Sequence, residues 1–456
     1  MKKFVFKTEP WEHQTKALSY LYPRNSAALY TDMGTGKTKI MIDLIINRGF
    51  KRVLVVAPSK ACAVWQSQIK IHSDLCSNHV INVCGVSTAD KLQLLNTTLK
   101  KQSSVANKEC YIIICNYEGV WREPFDKYLM RKTVGIDCVI CDESHRIKSP
   151  SSRCSRFLSK LGKLVPNRYL VTGTPLAENP VDVYAQYRFL DPNVFGTNFG
   201  NFCSRYQNID AEATSKVGYP VLNKDEPYIN LDELREKMFS CAFYAKSSVK
   251  LPPTTDVVTE FEPSAKLQKC YNEFKKSGGF IELKSGVVST ENVLAQITRE
   301  QQMLSGFVPV ENEDGEQKIV QVDKSRREAL RELLEGISAG EPVVVFAKYR
   351  NDLKAISVVA KSIGVSYGEV SGRRDDLEIW KSGKLQLLGV QYSSGSESID
   401  LTRARYCIYY SLTHSLSLYL QSRKRTHRPN QTRPVTYIHL VGVIPKVTTI
   451  DQKYLS

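Results

Sequence analysis

The segment Gly34-Thr35-Gly36-Lys37-Thr38 restricts the fold of this chain more than any other. Glycine just ahead of a helix is unfavourable unless the turn requires it, and here two stand in three positions. A phosphate group supplies the reason. Successive backbone N–H groups in such a turn, with the N-terminus of the next helix, can surround phosphate oxygens. Lys37 is placed to neutralise the β and γ phosphates, and Thr38 to offer its hydroxyl to Mg²⁺. No glycine opens the motif; Thr31, Asp32 and Met33 occupy the preceding turn. The geometry needs a strand before the loop and a helix after it. Residues 27–30 and 37–47 read that way.

The rest of the first half repeats this rhythm. Short β-rich runs at 52–57, 80–83, 111–115, 138–141 and 169–171 alternate with helical patterns, so a mainly parallel sheet covered by helices is expected. From 192 to 240 the rhythm weakens, with a helix expected over 231–238 near the end. A second α/β rhythm begins at Pro342, with strands over 343–346, 385–390, 406–410 and 435–440 and helices over 351–362 and 415–425. The stretch between carries a strand at 257–261, helices over 264–276 and 324–334, and a polar loop at 311–317. The pattern predicts an α/β protein with two lobes, 1–240 and 335–456, joined by a linker and helical insertion over 241–334.

At 456 residues the chain exceeds what one core organises, and 42% apolar with 24% charged residues describes a globular protein. Lys and Arg number 63 against 47 Asp and Glu, a net +16 that favours a polyanionic partner. Of 12 cysteines only Cys138 and Cys141 are close, with no second Cys/His pair at ligand spacing. That reads as thiols in a reducing compartment rather than zinc. The start, Met1-Lys2-Lys3-Phe4-Val5-Phe6-Lys7, lacks an apolar core for export, and no stretch approaches the roughly 20 apolar residues of a membrane span. A cytoplasmic protein, or one in the equivalent interior of a host cell, with no membrane partner is expected.

Asp142 and Glu143 follow the apolar run 138–141, which places them at the carboxyl end of a central strand, where α/β proteins bind ligands. There Asp142 can hold the Mg²⁺ shell through water, and Glu143 can orient or deprotonate the attacking water. Upstream, the Gln14 amide offers both a donor and an acceptor to adenine. Near the C-terminus, 421–431 holds Arg423, Lys424, Arg425 and Arg428. Arg425 and Arg428 are three apart, so on a helical turn both could approach the γ-phosphate. Arg423 and Lys424 are expected to face solvent or nucleic acid.

In this order the motifs resemble superfamily 2 helicases and translocases, especially the Snf2-like branch, in a compact phage- or bacterial-type DEAD/DEAH-box form. Trp11, His13 and Gln14 resemble the adenine-side motif; Asp32-Met33-Gly34-Thr35-Gly36-Lys37-Thr38 resembles motif I. Val56-Ala57-Pro58-Ser59, with Trp65 beyond, is similar to motif Ia, and Asn116-Tyr117-Glu118 to the next DNA-side loop. Asp142-Glu143-Ser144-His145 resembles motif II, Thr172-Gly173-Thr174-Pro175 motif III, Gly395 with Asp400 and Thr402 motif V, and 421–431 motif VI. Ser396-Glu397-Ser398 and Pro429-Asn430 depart from the usual pattern.

The resemblance implies two tandem RecA-like lobes of the P-loop NTPase type, using ATP and Mg²⁺. It adds Met33 and Asp400 to the nucleotide contacts. It puts Ser59, Lys60, Asn116, Tyr117 and Thr174 on the nucleic-acid face of the first lobe, and Gly372, Arg373, Ser393 and Thr402 on that of the second. The resemblance also narrows the expected location to a bacterial or phage-infected host cytoplasm. The implied activity is ATP-dependent translocation along DNA, double-stranded favoured and single-stranded possible, by a monomer that could serve replication or recombination proteins. An RNA-directed ATPase and a nucleotide-dependent binding module without motor work remain alternatives.

Overall fold

The computed structural model describes residues 3–32, 34–100, 110–173, 175–176, 179–245, 250–283, 285–290, 292–311, 317–395 and 399–455. They form two compact units, Met1–Lys250 and Leu251–Ser456.

Unit 1 is built on seven strands: β1 (Ser26–Thr31), β2 (Arg52–Ala57), β3 (Val80–Asn82), β4 (Tyr111–Asn116), β5 (Cys138–Asp142), β6 (Asn167–Thr172) and β7 (Ala242–Ala245). Their order is β3-β4-β2-β5-β6-β1-β7, and every pairing is parallel. A parallel sheet is covered on both faces, so its strands are apolar on both sides. Here Leu54 and Val56 of β2 belong to one apolar cluster and Val53 and Val55 to the other, split by the two-residue period of the strand. β5 is buried along its whole length between β2 and β6. The helix after the phosphate loop, Lys37–Arg48, stops at Gly49, whose left-handed backbone caps it.

Unit 2 contains β8 (Thr254–Phe261), β9 (Ile281–Leu283), β10 (Gly286–Val288), β11 (Phe307–Glu311), β12 (Gln317–Gln321), β13 (Val343–Ala347), β14 (Tyr367–Val370), β15 (Leu387–Gln391), β16 (Tyr406–Tyr409) and β17 (Val435–Gly442). Six make a second parallel sheet, β14-β15-β13-β16-β17-β8. The remaining four form a smaller antiparallel sheet, β12-β11-β10-β9, over a core that includes Leu267, Tyr271, Phe274, Met303 and Val308.

The span 241–334, expected as a linker, is therefore part of both units. β7 closes the first sheet beside β1, and β8 runs in eight-residue register along β17. The break between units falls after Lys250 rather than at 240. Strand pairing decided this, and pairing partners lie far apart in sequence. Among the described residues no helix is long and apolar enough to cross a membrane.

Candidate nucleotide site and the surfaces around it

The carboxyl ends of β1 and β5 carry residues of unit 1 expected at the nucleotide site. β1 leads into the glycine loop, where Gly34 and Gly36 both adopt positive φ (82° and 74°). Thr35 is fully buried, its hydroxyl donating to the Asp32 carbonyl at 2.7 Å and pairing with the Thr31 hydroxyl at 2.9 Å. The Lys37 ammonium donates to the carbonyls of Thr31 (3.0 Å) and Asp32 (3.1 Å). Thr38 is half-buried in the first turn of the helix. Met33, also expected at this site, lies outside the described residues.

Gln14 supports the loop from behind. Its carbonyl oxygen accepts from the Trp11 N–H at 2.9 Å, and its amide nitrogen donates to the Thr35 carbonyl at 3.0 Å. A His13 ring nitrogen meets the same carbonyl at 2.8 Å. Gly36 lies so close that a Cβ there would land on the Gln14 amide nitrogen. The approach of Gln14 and the positive φ both require glycine at 36. Gln14 thus sets the shape of the phosphate loop, a role the sequence did not suggest.

At the end of β5, Asp142 is nearly sealed from solvent. One carboxylate oxygen accepts from the Trp65 indole N–H at 2.7 Å and the other from the Glu143 N–H at 3.0 Å. The Tyr117 hydroxyl donates to the Asp142 carbonyl at 2.6 Å. Burial, followed by the neighbouring Glu143 charge, pushes the Asp142 carboxyl up to about 6, against the pull of Trp65 and of the Lys37 ammonium. Glu143 is in the left-handed region (φ 51°), rare for a side chain of its kind and found where function holds a turn in place. The Thr172 hydroxyl donates to its carboxylate at 3.3 Å, and His145 Nδ1 lies 3.4 Å from the same oxygen and 3.3 Å from the Thr172 hydroxyl. Burial draws the His145 ring below its ordinary value, which favours the neutral form.

The residues expected on the nucleic-acid face divide. Ser59 is exposed and Lys60 half-buried at the start of helix Ser59–His72, just after β2. The Asn116 amide at the end of β4 donates to the Ser59 hydroxyl (3.0 Å) and to the Glu118 carboxylate (3.1 Å). Tyr117 is corrected: it is 4% exposed with its hydroxyl engaged on Asp142, so it reaches inward and not to a nucleic acid. Thr174 lies outside the described residues.

In unit 2, Gly372 and Arg373 are exposed in the tight turn closed by Ser371 N–H to the Arg374 carbonyl (2.8 Å), and Ser393 is exposed in the short helix Tyr392–Gly395. Asp400 accepts from the Thr402 N–H (2.9 Å) and hydroxyl (2.7 Å). The next segment packs on this turn: Leu401 N–H donates to the Arg425 carbonyl (3.0 Å), Arg428 to the Ile399 carbonyl (3.2 Å), and Gln431 to the Thr402 and Ala404 carbonyls (3.0 Å each). Motifs some thirty residues apart are thereby joined.

Two expectations for this segment change. Helix Leu416–Thr426 ends before Arg428, so Arg425 and Arg428 do not share a helical turn. Arg423 does not face outward: its guanidinium pairs with the Asp256 carboxylate in β8 and lies 3.9 Å over the Tyr437 ring. That contact holds Asp256 below the ordinary carboxylate range. A charge-rich stretch reads as a solvated face only until a neighbouring strand supplies an acid.

A glycine phosphate loop after a parallel strand, with an acid pair at the end of a central strand and a second parallel-sheet unit, defines a P-loop NTPase with two tandem RecA-like lobes. Residues 13–306 match the SNF2-related domain, and 325–430 the helicase conserved C-terminal domain. The first match spans well over half of the chain, and the protein belongs to the SNF2-related family. It is similar to the mouse chromodomain-helicase-DNA-binding protein 1-like (25% identical over 439 residues, 92% of this chain and 45% of the relative). It is also similar to the DNA repair and recombination proteins RDH54 of Saccharomyces cerevisiae (23% over 476 residues, 94% and 50%) and RAD54B of Gallus gallus (21% over 509 residues, 97% and 53%). Among solved structures, the Sulfolobus solfataricus SWI2/SNF2 ATPase core in complex with dsDNA aligns with TM-score 0.44 at 16% identity, covering 97% of this chain and 90% of that one.

The chain spans about half the length of these curated relatives. The expected compact phage- or bacterial-type DEAD/DEAH-box helicase is overturned, because the sequence relatives are eukaryotic SNF2-type proteins.

Proposed function

We propose that the protein is a DNA-stimulated ATPase that converts hydrolysis of Mg-ATP into movement along double-stranded DNA. The observation that carries this reading is the pairing of the Gly34–Thr38 loop with the Asp142–Glu143 turn, close enough that the Lys37 charge acts on Asp142. The donor set suits ATP and Mg²⁺. The loop has glycine where a Cβ would collide, Thr38 offers a hydroxyl, and Asp142 a buried carboxylate with lone pairs left for an ion or its waters. When bound, Mg²⁺ neutralises charge on the β and γ phosphates.

The chain's own residues supply the rest. Lys37 binds phosphate oxygens, and Glu143 accepts the proton of the attacking water while Thr172 and His145 fix its carboxylate. Arg425 and Arg428 are assigned to the charge that grows on the transferring phosphoryl group. Asp400, carboxylate-turned toward Thr402, belongs to the nucleotide side of unit 2. Ser59, Lys60 and Asn116 in unit 1, and Gly372, Arg373, Ser393 and Thr402 in unit 2, offer hydroxyls, amides and charge to backbone phosphates. Such contacts fix position without reading bases.

Membership of the SNF2-related family, similarity to DNA repair and helicase-DNA-binding proteins, and the net +16 support DNA as the track. ATPase rates measured in parallel with duplex DNA, single-stranded DNA and RNA, at two salt concentrations, test the reading. Strongest stimulation by duplex, weakening as salt rises, is expected. Preferential stimulation by RNA would redirect the proposal to an RNA track. A rate indifferent to all three would leave a nucleotide-dependent binding module.

A further inference from the structure

Asp142 is held by two aromatic side chains that both come from the elements carrying Ser59 and Asn116. Trp65 lies six residues beyond Ser59 on helix Ser59–His72, and Tyr117 directly follows Asn116 at the end of β4. Trp65 is fully buried and Tyr117 4% exposed, while Ser59 is at the surface. Each element therefore has a polar end facing outward and an aromatic donor facing in, and both donors end on one residue. Trp65 bonds its carboxylate at 2.7 Å and Tyr117 its carbonyl at 2.6 Å. In the sheet order β4-β2-β5, these bonds tie the helix that follows β2 and the residue that follows β4 to the end of β5.

An indole N–H or a phenol in a core needs some partner, and a backbone carbonyl would satisfy either. Placing the indole on a buried carboxylate is a stronger choice. Hydrogen bonds to charged groups are worth more than neutral ones, and burial strengthens them further. A displacement of helix Ser59–His72 or of the 116–118 turn therefore pulls directly on the Asp142 carboxylate or on the strand end that leads into Glu143.

We infer that Trp65 and Tyr117 are positioning residues through which contact with a nucleic-acid backbone sets the metal-side carboxylate. This deepens the proposed function and rests on it. Neither side chain touches nucleotide or track; each acts through Asp142.

The test uses the full chain with Trp65→Phe and Tyr117→Phe, which keep an aromatic ring and delete the donor. Four quantities are read: kcat and KM for ATP with and without duplex DNA, the Kd for duplex, and the equilibrium Kd for a slowly hydrolysed fluorescent ATP analogue with and without duplex. The expected result is a loss of roughly tenfold in DNA-stimulated kcat, with the duplex Kd within about twofold of the parent. The effect of duplex on analogue binding, a readout without turnover, should shrink toward none. A merely structural role would lower both rates in proportion and leave the ratio of stimulated to basal rate, and the duplex effect on analogue binding, unchanged. That outcome in both variants overturns the inference. Absence of any nucleic-acid effect in the parent chain would overturn the proposed function itself, and the parent control separates the two failures.

Discussion

Gly36 offers a double-mutant test of how the phosphate loop is held. Its φ of 74° is left-handed, and an added Cβ would meet the Gln14 amide nitrogen. Gly49, at the far end of the same helix, has nearly the same φ (66°) but nothing within 4 Å of where its Cβ would be. Gly49→Ala should therefore show only backbone strain, roughly 1–2 kcal/mol. Gly36→Ala adds displacement of Gln14, which breaks its bonds to the Thr35 carbonyl and the Trp11 N–H. At about 1 kcal/mol net for each, the total reaches roughly 3–4 kcal/mol. In a Gln14→Ala background the collision is gone, and Gly36→Ala should fall back to the Gly49→Ala value. Urea unfolding of the four chains, read on the transition that Gly49→Ala shifts, gives a coupling energy of about 2 kcal/mol between positions 14 and 36. Affinity for a fluorescent ATP analogue should drop with Gly36→Ala and not with Gly49→Ala. A coupling near zero would refute the claim that Gln14 shapes the loop.

Four further outcomes are expected. Glu143→Gln should bind the ATP analogue as the parent does and lose turnover by about a hundredfold or more, because the carboxylate that takes the proton is gone; retained steady-state hydrolysis would remove that assignment. Acidification through about 6 should weaken apparent Mg²⁺ affinity in a nucleotide titration, as Asp142 becomes protonated. The sign for folding is opposite. A carboxyl raised in the native state favours folding at low pH and loses that advantage as pH rises through about 6, so metal-free Asp142→Asn should be more stable than the parent at pH 8, by up to roughly 3 kcal/mol, with the gap closing near pH 4. Arg423→Ala should destabilise the chain by about 1–3 kcal/mol in thermal or urea unfolding, through the unpaired Asp256 and the bared Tyr437 ring; an unchanged midpoint would return Arg423 to the solvated surface first expected for it.

The parts of the fold that were legible in the sequence are those whose signal is local. The loop Gly34–Thr38 announces its strand and helix because glycine at 34 and 36 has no cheaper explanation, and β2, β4 and β5 announce themselves because a doubly covered strand is apolar throughout. β7 and the small antiparallel sheet were obscure for the opposite reason. The strand at 257–261 was legible, but its start at Thr254 and its place at the edge of the second sheet come from β17, some 180 residues away. The site shows the same division. Lys37, Asp142 and Glu143 follow from spacing and charge, whereas the work of Trp65, Tyr117, Thr172 and Gln14 depends on what each bonds across the sheet. Trp65 left one clue: a tryptophan in an apolar helix face brings an N–H that must find a partner. Its partner's identity is a tertiary fact.

Movement along duplex DNA is the claim on which the account stands. A displacement assay addresses it, with a third strand or a bound protein block placed on a duplex distant from the entry end. The account predicts block removal that requires hydrolysable ATP, grows slower with distance, and is abolished by Glu143→Gln. ATP hydrolysis stimulated by duplex but with no displacement at any distance would contradict it.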